Sequence, residues 1–111
     1  MESKMFRLIA HTQYMENYGD AESPRWKFKG GSEYVIARLT TEQVVELGKS
    51  GLDKLVDAAL SQITWSDEYT ESYFLDWELI APGELTPDEK THMEYEGRIL
   101  WHPKELEVSV F

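Results

Sequence analysis

The chain has 111 residues, a formal net charge of −10, 41% hydrophobic and 13% aromatic residues, and no cysteine. This length supports a single domain over 1–111, because a second would have too little core of its own. The lack of cysteine excludes disulfides and thiolate metal sites. The opening stretch MESKMFRLIAHTQ has no apolar run of the length a signal peptide or membrane span needs, so a soluble cytoplasmic protein without membrane contact is expected.

The charge is unevenly placed. Residues 1–55 carry 8 Lys/Arg and 8 Asp/Glu, whereas residues 56–111 carry 3 and 13. An acidic surface of this kind repels nucleic acid phosphates and attracts basic proteins. Solubility alone would also account for it.

In chain order, Met5 to Tyr14 alternates as a strand. Phe6, Leu8, Ala10 and Thr12 fall on one face, and Arg7, Ile9, His11 and Gln13 on the other. His11 to Gly31 reads as a long aromatic and cationic loop with a polar turn at Gly19, Asp20, Ser23 and Pro24. Loops of that length and content are more often functional than connective. Ser32 to Leu39 reads as a second strand, with Val35, Ala37 and Leu39 apolar and Tyr34, Ile36 and Arg38 opposite. The two strands would pair as a wide antiparallel hairpin.

Thr40 with Gln43 forms a capping-box pattern, and Glu42 suits the positive end of a helix. Leu52, Leu55, Val56, Ala59, Leu60 and Ile63 then recur at helical spacing. Gly48 and Gly51 interrupt the run, so one broken helix and two helices remain open. Thr64 to Thr70 reads as a loop and Glu71 to Ile80 as a third strand. In that strand Tyr73, Leu75, Trp77 and Leu79 share a face, with Phe74, Asp76, Glu78 and Ile80 opposite. Ala81 to Glu89 breaks the pattern with Pro82, Gly83 and Pro87, and Thr91 to Tyr95 is ambiguous. Arg98 to His102 and Glu105 to Phe111 read as short strands around Pro103, with Leu106, Val108 and Val110 alternating. The expected fold is α+β: a mostly antiparallel sheet of four to five strands with one or two helices, about 41–63, on one face.

Chemistry-bearing patterns are few. His11, His92 and His102 are isolated, so no metal and no cofactor is expected. Asp88-Glu89-Lys90 has the residue types of a metal-dependent nuclease signature but lies in a Pro-rich turn. Asp76 and Glu78 share a strand face at about 7 Å, a separation that suits acid/base work and equally suits a solvated strand. No catalytic residue is assigned. In Arg25-Trp26-Lys27-Phe28-Lys29, basic and aromatic residues alternate as in base-stacking and phosphate-holding segments. An edge strand that buries its aromatics and is guarded by its lysines would look the same.

The run TQYMENYG, followed by W-K-F-K-G-G and a strand, resembles small accessory proteins of tailed bacteriophages, most without assigned function. Gln13, Tyr14, Glu16, Asn17, Tyr18, Gly19, Trp26, Lys27, Lys29, Gly30 and Gly31 carry the resemblance, within residues 12–36. It implies an accessory protein made in the infected bacterial cytoplasm and used to bind and modify a host component, and it supplies no catalytic residues.

Two functional expectations follow. The first is a non-enzymatic binding protein or inhibitor. Its acidic surface (Asp67, Glu68, Glu71, Asp76 and Glu78) would engage a basic host protein, and a homodimer remains open. The second is a binder of, or enzyme acting on, a small nucleotide-like anion. It would use Tyr14, Tyr18, Arg25, Trp26, Lys27 and Lys29 of the 11–31 loop.

Overall fold

One long hairpin forms the middle of the sheet. The computed structural model describes residues 5–98 and 103–106. Strand β1 (Phe6–Asn17) pairs antiparallel with β2 (Trp26–Leu39) along its whole length. Helix α1 (Thr41–Ile63) follows, then β3 (Trp65–Ser66), β4 (Thr70–Ile80), α2 (Pro87–Glu96) and β5 (Lys104–Glu105). The sheet order is β3-β4-β1-β2-β5. All its pairings are antiparallel except β2 with β5, which is parallel through Tyr34↔Lys104 and Val35↔Glu105. The class is α+β, and α1 packs on one face of the sheet. Of the strands expected at the C-terminus, all of 98–102 but Arg98 and the 107–111 part of 105–111 lie outside the described residues.

The expected loop from His11 to Gly31 is mostly strand. The strand period continues to Asn17 and resumes at Trp26, leaving a short connection closed by side chains. Asn17 Oδ1 accepts from the Gly19 and Arg25 amides, and Asp20 Oδ1 accepts from those of Glu22 and Ser23. Tyr18 N–H donates to Arg25 O at 2.9 Å. At Gly19 an added Cβ would lie 2.1 Å from Ser23 O, so no other residue fits this close approach.

Three β-bulges set the faces. Leu8 pairs with Ala37 but Ile9 with Val35, so Ile36 is an extra residue in β2. Ile36 and Ala37 consequently both join the α1 side, while Val35 crosses to a small cluster with Ile9 and Ile80. This corrects the expected alternation of Val35, Ile36 and Ala37. Leu75 is the extra residue of β4, between His11↔Asp76 and Thr12↔Phe74. Phe74 therefore packs with Trp77 and Leu79 against the core, Leu75 is exposed, and Tyr73 moves to the other face, where its hydroxyl donates to Gln13 Oε1 at 2.5 Å. Lys29 is the third extra residue, between Tyr14↔Gly30 and Met15↔Phe28.

The main core joins Leu8, Ala10, Ile36, Ala37 and Leu39 of the hairpin to Leu52, Val56, Ala59 and Ile63 of α1. The capping box forms as expected: Thr40 Oγ1 accepts from the Gln43 amide and Gln43 Oε1 accepts from the Thr40 amide. Gly48, at φ 64°, breaks the helical path, so two helical segments meet at a kink. Leu55 and Leu60 are only partly buried.

Helix α2 takes in the last residues of the expected Ala81–Glu89 break, from Pro87, and the ambiguous 91–95 stretch, while 81–86 is irregular as expected. Thr86 is its N-cap, Glu89 completes a second capping box, Pro87 opens the first turn, and Gly97 closes it in the left-handed region. Asp88-Glu89-Lys90 is thus a first helical turn, not a Pro-rich loop. Its anchors, Arg7 and Glu33, lie on the sheet face opposite α1.

Candidate functional site

The sheet runs past its helices at one end. Ser72 Oγ donates to Ile63 O at 2.8 Å, marking where α1 stops, and Ser72 lies opposite Tyr14. Beyond that level the turn after β3 docks on the end of β1: Asn17 N–H donates to Tyr69 O at 2.7 Å, and Asn17 Nδ2 donates to Glu68 O. The aromatic hairpin end and the acidic 67–71 segment, which belong to competing functional expectations, are therefore one surface.

Register divides this surface into two faces. Tyr14, Glu16 and Tyr18 share a face with Lys27 and Lys29, whose ammonium groups lie 5.4 and 5.3 Å from the Tyr18 ring centre. Such cation–π contacts hold the lysines on the face. Tyr18 and the nearby Glu16 raise the Lys29 pKa. Partial desolvation, then Glu16, raises that of Tyr14. Tyr14 also stacks at a tilt on Trp65, with ring centroids 6.1 Å apart. The opposite face carries Met15, Asn17, Trp26 and Phe28. Trp26 is 37% exposed and Phe28 58%, so neither enters the core; Tyr18, Trp65 and Tyr69 are also exposed. The six residues expected to form a ligand pocket instead lie on a ribbon and its turn: Tyr14, Tyr18, Lys27 and Lys29 on one side, Trp26 on the other, and Arg25 exposed in the turn.

The expected acidic contact residues have unequal freedom. Asp67 Oδ1 accepts from the Tyr69 and Thr70 amides, which lower its pKa and bind it into its own turn. Glu68 is exposed and Glu71 half-buried at the same end. Asp76 and Glu78 lie elsewhere, on the α2 side of mid-sheet, where Glu78 Oε2 is 3.1 Å from His11 Nε2.

Around His11 is a polar cluster that no sequence pattern announced. Glu33, 2% exposed, accepts from Thr86 Oγ1 at 2.5 Å and from the Asp88 amide at 3.3 Å, and it lies 3.7 Å from His11 Nδ1. Burial pushes the Glu33 carboxyl above its ordinary range, partly opposed by the Thr86 hydroxyl. Glu89 differs. Burial pushes it the same way, but two Arg7 hydrogen bonds at 2.8 and 3.2 Å, together with those from Thr86, outweigh burial and lower its pKa. A cleft of about 330 Å³ beside the cluster is lined by Gly31, Ser32, Asp88 and His92. None of these four is a large aliphatic side chain of the kind that dominates small-molecule sites. Among the described residues, no group of three or more His, Asp or Glu could hold a metal, and no helix is long and apolar enough to cross a membrane.

No family model, curated protein or solved structure matches this chain.

Proposed function

We propose that this chain is a non-enzymatic binding protein that grips another protein with the helix-free end of its sheet. The observation that carries the reading is the exposure of Tyr18, Trp26, Phe28, Trp65 and Tyr69 together at that end. Exposed aromatics of this density are the usual anchors of protein contacts. The resemblance to phage accessory proteins rests on residues of this same hairpin end, and it supports a bacterial host protein as the partner. The excess of acids after residue 55 supports a basic partner, drawn in at long range by charge and held at short range by the aromatic side chains.

Capture from a bacterial lysate at low and high salt tests this. The wild type should retain a defined partner that Trp26→Ala with Phe28→Ala loses at both salts. Glu68→Lys with Glu71→Lys should weaken capture mainly at low salt, where charge steering is strongest. Asp67 is left intact because it builds its turn. Capture unchanged in both variants would refute the proposal.

A further inference from the structure

Among the described residues, the outer edge of β2 at this same end is open. Among the described residues β2 meets β5 only at Tyr34 and Val35, so Trp26 to Gly30 has β1 on one side and no strand on the other. Tyr18 N–H donates to Arg25 O, which turns the Arg25 main chain toward β1. Alternation then turns the N–H and C=O of Trp26 and Phe28 outward. Natural edges are often blocked by lysines projecting along them. Here Lys27 and Lys29 are instead drawn over Tyr18, on one face.

We infer that this edge takes up an extended segment of a partner protein as an added strand, one that alternates acidic and apolar residues. This rests on the binding reading above and specifies how the contact is made. The chemistry follows from the two faces. A strand added beside Trp26–Gly30 places every second side chain beside Lys27 and Lys29 and the others beside Trp26 and Phe28. The first set favours carboxylates and the second favours apolar groups.

The acids of the chain do not cancel this preference. Asp67, Glu68 and Glu71 belong to the β3–β4 side of the sheet, with β1 between that side and β2. Among the described residues of β1 and β2, Glu16, opposite Lys27, is the acid on this face. A partner basic over its surface can carry such a segment, and the two edges would then contact different parts of it. A second copy of the chain fits poorly: antiparallel pairing of two β2 edges about Phe28 sets Lys27 beside Lys29 of the other copy, a like-charge juxtaposition that destabilises the pair. A nucleic acid strand would leave the outward amides and carbonyls without ladder partners.

Amide NMR of the ¹⁵N-labelled chain tests the inference with four probes: an alternating Glu/Val peptide, an alternating Lys/Val peptide, the Glu/Val peptide N-methylated at every second amide, and oligo-dT. The Glu/Val peptide should shift the amides of Trp26 to Gly30. Lys27→Glu with Lys29→Glu, in a chain whose remaining spectrum is unchanged, should weaken it roughly tenfold. N-methylation should abolish binding, since it removes ladder donors without altering charge. The inference is overturned if the N-methylated peptide binds equally, if Lys/Val or oligo-dT binds these amides more tightly, or if the same amides shift on simple dilution, which would indicate self-pairing. Failure of every peptide also overturns it. The lysate capture, which reads Trp26, Phe28, Glu68 and Glu71, would then judge the wider binding proposal separately.

Discussion

Thr12 is 1% exposed, and its Oγ1 has no hydrogen-bond partner among the described residues. A buried hydroxyl without a partner carries its desolvation cost uncompensated. Thr12→Val keeps the shape and removes that cost. The urea midpoint should rise, by about 1 kcal/mol in stability, with an unchanged denaturant slope. Glu33 and Glu89 make opposite contributions to pH dependence. The folded pKa of Glu33 is raised, so its stabilising effect is complete below the unfolded carboxyl range and is lost as pH rises through the folded value. The folded pKa of Glu89 is lowered, so its effect is present above the unfolded value and is lost as pH falls through the folded one. Urea midpoints measured from about pH 3 to about pH 8 should show Glu33→Gln flattening the neutral side of the profile and Glu89→Gln flattening the acid side.

Among the elements, α1 and α2 are held by different means. Beyond the Gly48 kink, helix α1 has an apolar stripe of Leu52, Val56, Ala59 and Ile63, and Ile63 at its end is fully buried. Ile63→Ala should cost about 2–5 kcal/mol, and Leu60→Ala less because Leu60 is only partly buried. Helix α2 buries only Glu89 and is attached through its first turn. Thr86 accepts from the Glu89 amide while donating to Glu33. Thr86→Ala removes a cap and a buried hydrogen bond together. It should cost about 1–2 kcal/mol and speed hydrogen exchange in residues 88–91 before the hairpin amides respond. Equal acceleration across α2 and β1 would mean that α2 is not separately anchored.

For the whole molecule, the shape is elongated. The radius of gyration is 16.1 Å, with principal extents of 55 × 35 × 19 Å, against about 13 Å expected for a compact chain of this length. Small-angle scattering at low concentration should return an elongated particle. A value near the compact expectation would mean that the hairpin end folds back and is not presented to a partner.

The sequence by itself determined the parts governed by local chemistry. The α1 boundaries followed from Thr40, Gln43 and the apolar spacing up to Ile63, and the strand character of 6–14, 32–39 and 71–80 followed from alternation. Helix α2 was also legible, in Thr86-Pro87-Asp88-Glu89. Its apolar residues form no stripe, so only the cap marks it. Other features depended on tertiary structure because they are relations between distant segments. A bulge exists only as two residues opposing one on a neighbouring strand, so Ile36 and Leu75 could not be assigned to faces by counting along their own strands. The salt bridge joining Arg7 to Glu89 and the short hydrogen bond joining Thr86 to Glu33 required the sheet to bring far-separated residues together. The candidate site has the same origin. Its aromatics and acids were visible as residues, but only the docking of the 67–70 turn on Asn17 placed them at one end of the sheet, beyond the reach of either helix.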